Sequence, residues 1–251
     1  MITNNSWQSR LYPLFNDSPA LAPFYTTAGA PGGTAMLQQC MFDNARTLPR
    51  GAAGVGADAV VLTDSLSADV LAALANNATV VLAATPGGGG GMIPTTDDTF
   101  SSCWWLCSGN VGTVVYSHGL LTGMDEAGYA DGAWQRLIDG SVAFVMEEVN
   151  RTVHEVLGTA LSYHSSYQWH PSKSATTVHV RALPDILGGP RSSALLLELG
   201  TEGGNGGRLI ASGLNIWPGE YNASLRGGYE HPEKAYLLWK LLDAGFRGAG
   251  L

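Results

Sequence analysis

The chain has 251 residues, enough to bury a substantial core in one large domain or two small ones. Hydrophobic residues make up 45% and charged residues 14%, which excludes a disordered chain and suits a packed α/β or β-rich body. The formal charge is −8, with 13 scattered Lys and Arg against 21 Asp and Glu, a balance that argues against nucleic acid as a partner.

Along the chain, residues 1–50 carry Pro13, Pro19, Pro23, Pro31 and Pro49, so an irregular segment is expected there, with one short helix around 35–44. "ADAVVLTDSL" predicts a buried strand at 59–63, because a β-branched run flanked by polar residues suits a strand covered on both faces. Ser67 is a good N-cap for the helical spacing of "ADVLAALANN", and "ATVVLAA" follows as a second buried strand. Together these form a βαβ unit, whose crossover is expected to be right-handed.

The second strand runs into "TPGGGGGM". A Walker loop needs Lys and Ser/Thr after its glycines and then a helix whose amides face the phosphate. Here the glycines lead into "MIPTTDDTFSS", with a proline, no lysine and no helical period. A Rossmann fingerprint fails too, because no helix packs directly behind the turn. The glycines are therefore expected to be a slack connection, and no nucleotide or other cofactor is expected.

Downstream, "VGTVVYSH" predicts strand or extended chain, "DGAWQRLIDG" a short helix ended by Gly140, and "SVAFVMEEV" another strand. Residues 150–175 are polar and aromatic and are expected to form an excursion or long loop. "TTVHVRAL" alternates, with His179 facing away from Val178 and Val180. "SSALLLELG" and "GRLIASGLNI", joined by "TEGGNGG", predict an antiparallel hairpin. "HPEKAYLLWKLLDAGF" is the strongest helix, with Pro232 and Glu233 in its first turn and Ala235, Leu238, Leu241 and Leu242 at helical spacing. With no internal repeat or linker, residues 1–251 are expected to form one domain, an α/β fold with a mixed sheet.

No apolar run reaches the roughly 20 residues that a bilayer-spanning helix needs, so no membrane partner is expected. "MITNNSWQSR" lacks the apolar core of a signal peptide. Five N-x-Ser/Thr sequons, at Asn4, Asn16, Asn77, Asn150 and Asn222, nevertheless point to a secreted or lumenal protein, with Asn16 weakened by Pro19. Cys40, Cys103 and Cys107 are no disulfide framework. Cys103 and Cys107 enclose "WWL", and two readings stand: a disulfide in an oxidising compartment, or buried thiols acting as small hydrophobes.

The order of these segments carries a resemblance. "DAVVLTDSLSADVLAALANNATVVLAA", "WW", "GTVVYSHGLLTGMDEAGYADGAWQRLI", "GGRLIASGLNI" and "HPEKAYLLWKLL" together resemble the accessory domain beyond the catalytic barrel of glycoside hydrolase family 2 type, β-galactosidase-like enzymes. The resemblance spans roughly 55–246. It implies a class I glutamine-amidotransferase-like (flavodoxin-like) fold, with a mixed, mainly parallel sheet flanked by helices and long aromatic loops. It also implies a catalytic barrel or sister subunit as partner. The chain departs from a working amidotransferase or hydrolase, since neither G-x-C-x-G nor G-x-S-x-G occurs and no eightfold βα alternation is present. The function expected is thus a non-catalytic accessory or carbohydrate-contacting domain. The alternatives are a stand-alone hydrolase with a degenerate site and an oligomerisation module.

Individual residues sharpen this expectation. Glu147–Glu148 and Asp97–Asp98 are adjacent pairs that cannot converge on one bond, and Asp125 and Glu126 sit in a turn. Glu198, inside "LLLELG", needs a partner: water at a strand end, or an arginine. The histidines, His118, His154, His164, His170, His179 and His231, show no metal-ligand spacing on a regular element, so no metal is expected. His231 precedes Pro232 at a helix N-terminus. Of the aromatic residues, Trp134 and one of Trp104 and Trp105 are expected to plug the core. Tyr163, Tyr167 and Trp169, with His170, stand in the polar segment "SYHSSYQWHPS" and form the candidate carbohydrate-binding set, since sugar rings stack their C–H faces on aromatic planes.

Overall fold

The computed structural model describes residues 23–27, 45–84, 95–96, 110–115, 119–121, 124, 134–138, 141–145, 176–184, 193–200, 207–217 and 231–246. In chain order its elements are β1 (Phe24–Thr26), β2 (Arg46–Thr47), a 3-10 turn (Arg50–Ala52), β3 (Val60–Thr63), α1 (Ala68–Ala75), β4 (Thr79–Ala83), β5 (Thr95–Thr96) and β6 (Asn110–Val115). A second 3-10 turn (Gly119–Leu121) follows, then α2 (Gln135–Ile138), β7 (Ala143–Val145), β8 (Thr176–Pro184), β9 (Ser193–Leu199), β10 (Arg208–Ser212) and α3 (Pro232–Phe246). The described strands join in one mixed sheet in the order β2-β1-β3-β4-β10-β9-β7-β5, with β8 on the other edge of β9 and β6 beyond it. Strands β2, β1, β3, β4 and β10 are parallel to one another, and the remaining pairings are antiparallel.

The expected strand–helix–strand unit is β3, α1 and β4, with β3 and β4 parallel neighbours in register Val60↔Thr79 to Thr63↔Leu82. Burial on both faces explains the apolar runs. Val60, Leu62, Val81, Ala83 and Ile210 belong to one core, shared with Ala235, Leu237, Leu238, Leu241 and Leu242 of α3. Val61, Val80, Leu82, Leu209 and Ala211 belong to the other, with Val70, Ala73 and Leu74 of α1. The period of two along each strand divides it between the cores, so α1 and α3 cover opposite faces. Each fully buried Val or Leu contributes about 1.5–3 kcal/mol of transfer free energy.

The ends of α1 are set locally. The Ser67 hydroxyl accepts from Val70 N at 3.4 Å, and the backbone at Ser67 is extended, as an N-cap requires. At the other end Asn77 adopts φ 69°, its N–H donates to Leu74 O, and Ala78 N–H donates to Ala73 O. This is a Schellman closure with asparagine in the left-handed position that glycine usually takes. Of the five sequon asparagines Asn77 alone lies among the described residues, and it is exposed. Ser67→Ala is expected to lower stability by about 0.5–1 kcal/mol, measured as a shift of the urea midpoint at constant m.

Two expectations need correction. Residues 1–50 were expected to be irregular, yet Phe24–Thr26 and Arg46–Thr47 are strands, and β1 lies beside the central strand β3. Strands of two and three residues are too short to show a period. They form because β3 offers an open edge, and Phe24 is fully buried there. The strict alternation expected around His179 is also broken. The pairing of β8 with β9 shifts between Val178 and Val180 and again between Val180 and Arg181, and Leu195 and Leu196 fall in the same core. The hairpin expectation holds, since β9 and β10 are antiparallel from Leu209↔Leu199 to Ser212↔Leu196. The short helix and the strand after it are present as α2 and β7.

The sheet forks where β10 ends. Gly213 N–H donates to Leu195 O at 2.8 Å, and Val142 N–H donates to Gly213 O at 2.8 Å. Past this point β9 pairs instead with β7, in register Phe144↔Ala194. At the start of β10, Gly207 passes so close to α1 that a Cβ would overlap Leu74 O and approach Ala78 O to 2.9 Å.

Candidate functional site

Three groups of polar side chains are placed by this frame. The first lies at the carboxyl ends of β1 and β3, where the chain order reverses across the sheet, the position at which open α/β sheets form a crevice. Thr63 donates to Ser65 O at 2.7 Å and accepts from Ser65 N–H at 3.1 Å. A hydroxyl has one proton, so the 3.0 Å contact between the Thr27 and Thr63 hydroxyls is a bond that Thr27 donates. Ser65 in turn donates to Asp64 Oδ1 at 3.1 Å. The Thr63 hydroxyl is thereby fully engaged in closing the turn into α1, which is a structural role rather than that of an activated nucleophile.

The second group answers the question raised by Glu198. This carboxylate, 8% exposed in an apolar strand, accepts from Arg208 Nε at 2.6 Å across the hairpin. Arg208 Nη1 also donates to Ala244 O at 2.7 Å in the last turns of α3. Among the described residues the last turn of α3 holds no basic residue, and the Arg208 guanidinium supplies from the sheet the positive charge that a helix C-terminus favours. Arginine is thus a partner of Glu198, one of the two expected.

The third group was not visible in the sequence. At the start of α3, Lys234 and Ala235 N–H donate to His231 O, which places His231 at the helix N-terminus as expected. Arg136 of α2 donates to His231 Nδ1 at 3.0 Å, and Glu233 Oε1 lies 3.9 Å from both nitrogens. Further along α3, Tyr236 and Trp239 stack with ring centroids 6.2 Å apart, and Lys240 Nζ sits 5.4 Å from the Tyr236 ring centre. Burial pushes the Tyr236 phenol above its ordinary value of 10.0.

Trp134 plugs the core, as expected, and its Nε1 donates to Met124 O at 3.0 Å. Trp217 is half-buried against the α3 core. The carbohydrate-binding candidates Tyr163, Tyr167, Trp169 and His170 lie outside the described residues. So do the glycine run 87–91, the helix expected at 35–44, the three cysteines, Trp104, Trp105, Asp97, Asp98, Asp125, Glu126, Glu147 and Glu148. Among the described residues no three His, Cys, Asp or Glu side chains group as metal ligands, and no helix is long and apolar enough to cross a membrane. No known protein-family model matches the chain, and no curated protein matches it.

Proposed function

We propose that this chain is an accessory domain of carbohydrate-processing machinery that contacts sugars and leaves hydrolysis to a catalytic barrel or sister subunit. The observation that carries this reading is the Glu198–Arg208 pair. A carboxylate set within an apolar strand is the sequence feature that most suggests a glycosidase acid or base. Here its charge is engaged at 2.6 Å by an arginine that also holds the end of α3, which is the arrangement of a structural ion pair. The hydroxyls at the carboxyl ends of β1 and β3 are likewise taken up by the turn that follows β3.

The strand order supports the finer fold assignment. The parallel strands β2-β1-β3-β4-β10 follow the order 2-1-3-4-5 of a flavodoxin-like sheet, with β10 in fifth place after the antiparallel strands are inserted. That order agrees with an amidotransferase-like accessory domain of the β-galactosidase-like kind. Sugar contact falls to Tyr163, Tyr167, Trp169 and His170, whose aromatic faces stack on pyranose rings while the imidazole meets hydroxyls. The sequons, including the exposed Asn77, agree with a secreted or lumenal setting.

Affinity electrophoresis through polysaccharide-containing gels, with a glycan array to choose the polymer, tests the proposal. The chain is expected to be retarded, and Trp169→Ala to weaken binding by roughly two- to tenfold, the range for one lost stacking contact. Hydrolysis of glycosides by the isolated chain, abolished by a Cys→Ala or Ser→Ala change, would establish the stand-alone hydrolase instead. Self-association without sugar binding would establish the oligomerisation module.

A further inference from the structure

The last helix turns aromatic rings outward. Among residues 232–245 only Pro232, Tyr236, Trp239, Lys240, Asp243 and Ala244 escape full burial. Positions 236, 239, 240 and 243 therefore form one outer stripe at helical spacing. A helix that packs its other side on a core ordinarily fills such a stripe with polar residues. Here Tyr236 and Trp239 take two of the four positions, each packed against the α3 core and each still partly in water. Neighbouring rings kept at the surface in this way mark a contact surface.

The rings are ordered relative to one another. Tyr236 and Trp239 lie within 16° of parallel, with centroids 6.2 Å apart. Lys240 Nζ stands 5.4 Å from the Tyr236 ring centre, within cation–π range. Tyr236 thus joins the ammonium to the indole and steadies the plane of Trp239. Asp243 follows one helical turn after Trp239 and Lys240, so an anion and a cation flank the indole along the stripe.

Size and charge together select the occupant. A Tyr or Trp side chain buries about 150–250 Å² at most, and both rings already give part of that to the core. What remains falls far below the roughly 800 Å² per partner of a stable protein interface, but it suits a single sugar ring. Lys240 and Asp243 cancel in charge, so the stripe favours a neutral molecule with both donors and acceptors at its edge. A pyranose meets each demand, with a flat C–H face and a rim of hydroxyls. We propose that the outer stripe of α3 is a second sugar contact: a neutral pyranose stacks on Trp239, one hydroxyl accepts from Lys240 and another donates to Asp243. The assignment rests on the carbohydrate reading given above and adds to it a site within the described fold, formed by residues other than Tyr163, Tyr167, Trp169 and His170.

The test follows the indole N–H signals of the full chain by NMR during titration with cellotetraose, mannotetraose and galactotetraose, with oligogalacturonate as the acidic comparison. Trp239→Phe identifies the Trp239 signal by its loss. That signal is expected to move with at least one neutral tetrasaccharide and to stay in place with oligogalacturonate. Trp239→Ala should weaken binding of the same sugar roughly two- to tenfold, and Trp239→Phe by less. Lys240→Met keeps the aliphatic stem but loses the donor, and it should also weaken binding about two- to tenfold. Because the titration is read on the wild-type chain, it stands even if Trp239→Ala fails to fold. Trp169→Ala, run beside it, separates the two readings. Loss of binding in Trp169→Ala with an unmoved Trp239 signal overturns the α3 contact and leaves the accessory-domain reading standing, whereas binding of no sugar at all overturns both. A Trp239 signal that moves with protein concentration alone assigns the stripe to a second copy of the chain. One that moves only with oligogalacturonate assigns it to an acidic ligand, and either result overturns the proposal.

Discussion

Gly213→Ala is expected to lower the unfolding free energy by about 3–5 kcal/mol, a loss few single substitutions reach. An added Cβ there would overlap the Val142 carbonyl oxygen outright and come within 3.0 Å of its carbon. Both obstacles are backbone, so no side-chain rotation relieves them. The alternatives are to push β7 away from β10 or to break the two 2.8 Å bonds that Gly213 makes with Leu195 and Val142. Each lost bond leaves a buried polar group unsatisfied, at about 1–3 kcal/mol. Gly200, around which a Cβ would meet nothing within 4 Å, is the control, and Gly200→Ala should stay within about 0.5 kcal/mol of wild type. Urea unfolding of both variants measures the contrast, and a Gly213→Ala midpoint equal to that of Gly200→Ala would show that the fork is not closed this tightly.

Arg208→Met is expected to cost a further large amount, about 3–5 kcal/mol, because it removes the guanidinium that meets the Glu198 carboxylate at 2.6 Å within an apolar strand. Glu198→Gln should cost less, about 1–2 kcal/mol, since the amide oxygen can still accept from the guanidinium. The double variant Glu198→Leu/Arg208→Met takes away both charges and refills the space. It should regain most of the loss, short of wild type by the missing hydrogen bond to Ala244 O. The cycle should give a coupling of about 2 kcal/mol or more that changes little with salt, because both side chains are largely shielded from solvent. Additive single effects would instead place the pair among surface bridges that contribute almost nothing.

How far the sequence led depends on the range of the contact. The β3–α1–β4 unit was legible because both-face burial writes a continuous apolar run and because Ser67 marks a helix start through a bond to Val70, only three residues away. The helix α3 was legible from the spacing of Ala235, Leu238, Leu241 and Leu242. The partner of Glu198 was half legible. Once "LLLELG" and "GRLIAS" are aligned as a hairpin, Ile210 stands opposite Glu198 and Arg208 is its diagonal neighbour on the same face. The short strands β1 and β2 carried no such signal, because two or three residues cannot display a period. The proposed sugar contacts rest on composition, since Tyr163, Tyr167, Trp169 and His170 fall outside the described residues.

What the sequence alone determined is the identity of the elements that bury themselves by local pattern, together with the start of α1, since caps and periods act over three or four residues. Only the tertiary structure decided that β10 lies between β4 and β9, that Gly213 marks a fork, and that Arg136 meets His231 and Glu233. Those juxtapositions join segments distant along the chain. Their cause is the packing of two helices on opposite faces of a shared sheet, and a residue's neighbours in sequence carry no record of which surface it will meet there.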